Sequence, residues 1–346
     1  MAVADAAIDR SHNTSTAWVS RGAVWVVLAL LVLVLPLQLE NFHAQRWSLA
    51  VIYAMAALSL NVLIGYAGQI SLGHQGFLGV GAFMSAYMVS AHGQTFWAGV
   101  VVAAAVTAMA SLVMGLVALR VRGLYLALVT LVFGRMAQET LFNLKIFGKG
   151  AGVEAPRPEA FATDHAFYYL CLIALALVLY ADWRFTKSKA GRAVTAVREN
   201  EQVAASYAIP VAQYKLLAFV LSGVFVGVAG ALYAHRITRI EPQSLDFSLA
   251  LFLIIVTVVG GLRSRTGVVV WTVGFTLLPE YLADTFGSNA PFISQAVGAA
   301  LLVVILVFYP GGIGQLIRPV TRWLGGGPFK RDDEGGFVEE GVRGRP

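Results

Sequence analysis

Apolar stretches of bilayer length recur along almost the whole chain. The hydrocarbon core of a membrane is about 30 Å thick, and a helix needs about 20 mainly apolar residues to cross it. Runs approaching or reaching that length occupy residues 23–39, 48–64, 77–91, 96–118, 123–142, 166–182, 213–235, 247–262, 267–285 and 293–310. Lipid offers the backbone no hydrogen-bond partners, so only helices and closed barrels span it. These runs are continuous and do not alternate, which predicts helices. The expected fold class is all-α, a polytopic membrane protein with about ten transmembrane helices. Of its 346 residues, 58% are hydrophobic and 13% charged, and that charge is about half the share carried by soluble domains. Several runs are short for a full span, so one or two are expected to be broken or re-entrant.

Charge placement sets the orientation. With the N-terminus in the cytosol, the inside segments hold Arg184, Lys187, Lys189, Arg192 and Arg198 together with most of the other basic residues. Few, such as Lys145, Lys149 and Arg157, fall outside. That bias is what the positive-inside rule requires, and it places both termini in the cytosol. The net charge of +6 thus reflects helix ends and not a duplex-binding face. Residues 1–22 read as a cytosolic segment. The run after them is followed by Glu40-Asn41-Phe42-His43, without a small-x-small cleavage site, so it reads as an uncleaved first helix. The transmembrane domain is expected over 23–318, and the Gly-rich, charged residues 319–346 read as a flexible cytosolic tail. The single cysteine, Cys171, excludes a disulfide framework.

Three stretches depart from plain spanning helix. The first, Gly65 to Gly76, holds Gly68, Gln69, Ser71, Gly73, His74 and Gly76 between two apolar runs. Dense glycines weaken a helix and permit close approach. Irregular backbone at membrane depth survives where it lines a cavity or is buried in protein. Two readings stand: a discontinuous segment lining a pathway, or a tight turn with close packing through small residues. His74 has no second ligand at metal-binding spacing.

The second stretch is the basic loop from Arg184 to Pro210. Ala193, Val194, Val197, Glu201, Ala204 and Ala205 fall at helical spacing within it, a weak and small apolar face that Pro210 terminates. Such a helix suits a groove on a cytosolic partner, or equally a connector lying among lipid headgroups. The third stretch, residues 143–165, contains Gly148-Lys149. A phosphate-binding loop is excluded there, because Asn143 stands in place of the upstream glycine and Gly150 in place of Ser or Thr. The chain has no Walker motif elsewhere and no nucleophile–base pair at workable spacing, so it is not expected to be an enzyme. Arg135 and Glu139 are four residues apart and can offset each other. Glu280 and Asp284 fall near the outer end of the ninth run. The Gly223–Gly227 motif, with Gly230, reads as helix packing.

Two blocks carry a resemblance. Leu60–Ala82 (LNVLIGYAGQISLGHQGFLGVGA) and Gly191–Tyr233 (GRAVTAVRENEQVAASYAIPVAQYKLLAFVLSGVFVGVAGALY) are similar to segments of the branched-chain amino acid permeases of ABC importers, a family related to urea and amide permeases. Val259-Gly260-Gly261-Leu262 and Tyr309-Pro310-Gly311-Gly312-Ile313 support it. The resemblance implies an inner (plasma) membrane protein of a prokaryote that imports branched-chain or related amino acids by alternating access. It implies a second permease subunit, two cytosolic ATP-binding subunits and a periplasmic substrate-binding protein, with no cofactor in this chain. It also implies that residues 190–207 form a coupling helix, with Gly191, Arg192, Val197, Arg198, Glu199, Asn200, Glu201 and Ala204 meeting the ATPase. Gly68, Gln69, Ser71, Gly73, His74 and Gly76 would lie along the translocation path. Two places depart from the family pattern: the 147–158 loop, and Arg263-Ser264-Arg265 where a less charged turn is usual. Urea, amides and aromatic acids therefore stay open as substrates, and an ion-coupled carrier acting alone is the rival mechanism.

Overall fold

The structure is a computed structural model that describes residues 41–121, 123–286 and the isolated positions 293, 296, 297, 300, 303 and 304. The expected helix at 23–39, most of that at 293–310, the terminal segments, the 309–313 motif and the side chains of Glu280 and Asp284 lie outside the described residues. Each expected run that falls on described residues is helical: α1 (Asn41–Leu60), α2 (His74–Ser90), α3 (Phe96–Ala118), α4 (Leu124–Glu139), α5 (Asp164–Lys187), α8 (Val211–Ile237), α9 (Phe247–Gly260) and α10 (Arg265–Phe286). Between α5 and α8 stand two short helices, α6 (Lys189–Glu199) and α7 (Glu201–Ser206). Five segments among the described residues are long and apolar enough to cross a membrane: Ala44–Tyr66, Phe96–Ala118, Asp164–Lys187, Val211–Ile237 and Pro242–Gly260.

Side-chain polarity at the helix starts explains where they begin. Thr95, Thr163, Ser188, Asn200 and Asp246 each accept a hydrogen bond from a first-turn amide of α3, α5, α6, α7 and α9. Such caps satisfy donors that have no partner within the helix.

Over residues 49–58 α1 is apolar on every face, the pattern of a helix surrounded by protein, and it packs against α5, α8, α9 and α10. Ala50, Ala54, Ala56, Ala57 and Ser59 are all fully buried. The second central helix, α8, lies against α2 and α3. In lipid no hydrophobic force drives helices together, so contact relies on small residues that let backbones close up. Gly223 and Gly227 supply this towards α3: a Cβ at Gly227 would sit 2.9 Å from Ala103 O, and one at Gly223 would meet Ser111. A Cβ at Gly81 would lie 2.7 Å from Gly227 O, and one at Gly230 would meet the Leu78 carbonyl, so α2 approaches equally closely. Outward faces remain apolar, with Val101, Met109 and Val113 on α3, Leu124, Tyr125 and Val132 on α4, and Ile173, Leu177 and Tyr180 on α5 all exposed. A hydrocarbon surrounding suits that surface.

Residues 143–165 are held down at the far end of α8. β1 (Val153–Glu154) pairs antiparallel with β2 (Arg239–Ile240), with Val153 opposite Ile240. Arg157 donates to the carbonyls of His235 (3.2 Å) and Arg236 (3.1 Å), and its Nη1 lies 2.6 Å from Asp164 Oδ1. A guanidinium thus covers carbonyls left unpaired at a helix C-terminus, where positive charge is favoured.

Candidate functional site

The local irregularity begins inside the first described span. α1 passes directly into a π-helix, Asn61–Tyr66, and the chain then runs without regular structure until His74 opens α2. A π-helix is a widened turn, rare and frequent at functional sites. Its six residues are all buried, and polar contacts from three other elements hold it. Asn61 Oδ1 accepts from the Arg263 amide at 2.9 Å, in the turn between α9 and α10. The Gly65 carbonyl accepts from Arg263 Nε at 3.2 Å and from Arg198 Nη1 of α6. Tyr66 donates to Asp182 Oδ2 of α5 at 3.1 Å. Asp182 is fully buried and paired with Arg265, which also reaches Thr186.

Glycines allow the break to form. Gly68 has φ +68, a left-handed conformation that favours glycine, and a Cβ there would lie 2.7 Å from Arg198 Cγ. A Cβ at Gly73 would strike the Thr130 carbonyl of α4, and one at Gly76 would stand 2.9 Å from Gly134 Cα. The Leu72 amide donates to Thr130 Oγ1 at 2.9 Å, so α4 grips the break by a side-chain hydrogen bond as well.

The polar side chains of this segment are buried with little to bond. Gln69 and Gln75 have neither amide atom paired, and Ser71 Oγ is likewise without a partner. All three are at most 5% exposed. His74 Nε2 stands 2.6 Å from Ser59 Oγ, and that hydroxyl donates its own hydrogen to Ala56 O. The ring must therefore donate from Nε2, which leaves Nδ1 as a bare acceptor with nothing to accept from. Buried polar atoms are nearly always paired, and unpaired ones call for an explanation such as water, an ion or a role in function. Among the described residues no three His, Cys, Asp or Glu side chains stand together as a metal site.

Residues 190–207 do not make a single helix. α6 ends at Glu199, Asn200 turns away at φ −157 and ψ 112, and its side chain caps α7 through the amides of Gln202 (2.9 Å) and Val203 (3.0 Å). Pro210 occupies the N-cap position of α8. A Cβ at Gly191 would strike the Phe185 carbonyl, so glycine lets α6 fold back against the end of α5. Val194, Val197 and Ala204 are buried against the helical body. Arg192 and Glu199 are exposed, as are Gln202, Val203 and Tyr207, the last at 78%. Arg192 Nη1 returns to the Lys187 carbonyl at 2.9 Å.

The structure brings the two sets of expected residues together. Between them lies a cavity of about 80 Å³, bordered by Gly68 and Gln69 on one side and by Val197, Arg198, Glu201 and Lys215 on the other. Lys215, on the first turns of α8, is buried and pairs with Glu201 at 2.5 Å. Arg198 turns inward, and burial, followed by the Arg263 charge, lowers its pKa from the ordinary value. Arg263 Nη2 lies 3.6 Å from Glu199. Asn61, Tyr66, Asp182 and Lys215 are the contributors that sequence reasoning missed. The only signal at Asp182 was an acid closing an apolar run, and its partners are up to 116 residues away. The Arg135–Glu139 pair is peripheral, with the two side chains 3.9 Å apart and half exposed.

Similarity to known proteins gives the family. The profile of the family described as "Branched-chain amino acid transport system / permease component" matches residues 45–307. The high-affinity branched-chain amino acid transport system permease protein LivM of Salmonella typhimurium is 28% identical over 331 residues, covering 87% of this chain and 77% of that protein. LivM of Escherichia coli is 28% identical over 330 residues, covering 87% and 76%. The L-arabinose transport system permease protein AraH of Escherichia coli is 26% identical over 175 residues, 46% of this chain and 51% of its own. No solved structure matches. A buried break gripped by a short surface helix pair thus sits within a chain that belongs to the branched-chain amino acid transport permease family.

Proposed function

We propose that the chain is the membrane-spanning permease subunit of an ATP-driven ABC importer for branched-chain or related amino acids. The family and the two LivM relatives support the solute class. The observation that carries the mechanism is the contact between α6–α7 and the π-helix with its break, through Arg198 and Gly65. A lone carrier has no use for a short helix pair that presents Val203 and Tyr207 outward while holding a pathway segment inward.

In this reading α7 and the exposed edge of α6 seat on a cytosolic ATP-binding subunit, and Arg192, Glu199 and Asn200 border the contact. Closure of the two ATP-binding subunits moves the pair, and rigid-body rocking of packed helices switches the path between outward-open and inward-open states. Gln69, Ser71 and His74 supply the polar lining. A second permease subunit and a periplasmic binding protein complete the assembly in the inner membrane, with about ten spans here and both termini in the cytosol.

Reconstitution tests this. Liposomes holding the assembled transporter are expected to accumulate radiolabelled leucine only with ATP inside the compartment facing α7, and liposomes holding this chain alone are expected to accumulate none. Gradient-driven accumulation by the lone chain would replace the importer with an ion-coupled carrier. Competition by urea, short amides or aromatic acids against leucine reads out the solute class. Gly191→Val, which drives a side chain into the Phe185 carbonyl, is expected to leave ATP hydrolysis running while uptake falls.

A further inference from the structure

The π-helix and the segment behind it pull in opposite directions. Behind it, Gln69, Ser71, His74 and Gln75 keep polar atoms buried without partners, which favours any rearrangement that lets them meet water or a solute. Ahead of it, two guanidiniums converge on one carbonyl: Arg198 from α6 and Arg263 from the α9–α10 turn both donate to Gly65 O. Gly65 lies four residues before Gln69. Arg198 also lies over Gly68, with its Cγ 2.7 Å from where a Cβ would be, so α6 cannot move without dragging or releasing this turn. Glu199 ties the two arginines into one unit through Arg263. A charged donor on a carbonyl is stronger than a neutral one and directional, hence suited to a hold that is either made or broken.

We propose that Arg198 and Arg263 form a latch on the Gly65 carbonyl, which keeps the polar break shut and releases it when α6 is displaced. Arg198 is then a positioning residue that faces the pathway and not a contact for the partner subunit. The orphaned polar atoms supply the tendency to open, the latch opposes it, and α6 is the handle. The transport half of this inference rests on the permease reading above, whereas the latch itself is a property of this chain alone.

The full chain carries a single cysteine, Cys171, which is buried, so reporter cysteines are readily placed in a Cys171→Ala background. Gln69→Cys reports the break, and Ile70→Cys, at a position 43% exposed, is the control. N-ethylmaleimide is expected to label Gln69→Cys slowly and Ile70→Cys quickly in the purified chain. Adding Arg198→Ala is expected to speed labelling at position 69 by about ten- to a hundredfold, the range that follows from losing one charge-assisted hydrogen bond. Labelling at position 70 should hardly change, and Arg198→Lys should recover most of the protection. Arg263→Ala, read with Ser71→Cys as the reporter, repeats the test should Arg198→Ala not fold. Equal labelling rates with and without the arginines would overturn the latch.

In the assembled transporter, Arg198→Ala is expected to retain the ATP-binding subunit on co-purification while leucine taken up per ATP hydrolysed falls. Loss of that subunit would make Arg198 a docking contact and also overturn the proposal. Absence of ATP-driven leucine uptake by the unsubstituted assembly sinks the importer reading instead, and leaves the labelling result to decide the latch.

Discussion

Asp182 ties three elements together at the end of the bundle where α6 lies. It is fully buried, and it joins α5 to the π-helix through Tyr66 and to α10 through Arg265. Breaking a buried pair by removing one partner is far more damaging than never having built it, because the other charge stays behind without compensation. Asp182→Asn is therefore expected to destabilise the chain by about 3 kcal/mol, the lower end of the usual range, since the Arg265 side chain is 28% exposed and partly solvated. Thermal unfolding in detergent measures it, and an unchanged midpoint would remove Asp182 from this role. His74 makes the complementary point. It opens α2 with its Nε2 hydrogen committed to Ser59 and its Nδ1 facing nothing, which fits a path-lining acceptor better than a metal ligand.

The helices show why small residues recur where they do. α2 and α4 meet through Gly73, Gly76, Thr130 and Gly134, with backbones so close that a Cβ has no room. Gly134→Leu forces α4 away from the break, and overpacking of this kind costs about 1–3 kcal/mol. The expected result is a lower unfolding midpoint together with faster maleimide labelling at position 69, since α4 is one wall of that segment. The division of 190–207 into α6 and α7 is set by one side chain, that of Asn200. Asn200→Ala removes the cap of α7 and is expected to weaken that helix by about 1 kcal/mol. Hydrogen exchange at the Gln202 and Val203 amides, which now donate to Asn200 Oδ1, reads this directly. Unchanged exchange there would mean that packing of Ala204 alone holds the turn.

For the molecule as a whole, chemistry and conformational work are expected to be divided among chains. Residues 143–165 are pinned to the end of α8 by Arg157 and the β1–β2 pair, while α6 and α7 lie at the end that holds the break. α8 runs from one to the other, with Lys215 near its start bound to Glu201 of α7 and His235 near its end under Arg157. His235 donates from Nδ1 to the Pro156 carbonyl at 2.7 Å and accepts from Ser85 at 3.0 Å, so loop, α8 and α2 are locked at that end. In the importer proposed above, a strut joining two anchored ends would carry rocking from one end to the other. Arg157→Ala is accordingly expected to slow leucine uptake by the assembled transporter without changing retention of the ATP-binding subunit.

The all-α membrane class was legible from hydropathy alone, because lipid leaves the backbone only the helix as an open-ended solution. The Gly-rich segment and the basic loop were legible as departures from that pattern, and the resemblance followed from their residues. Three features were not. A π-helix depends on contacts that stabilise a widened turn, and those at Asn61, Gly65 and Tyr66 come from residues 116–202 positions away. The break at Asn200 depends on whether a side chain caps or lies in a continuing helix, which periodicity does not distinguish. That Arg198 faces inward follows from Gly68 having no side chain to block it. Local composition writes the solvent into a sequence, whereas the meeting of two distant segments at one carbonyl oxygen is decided by how the helices pack.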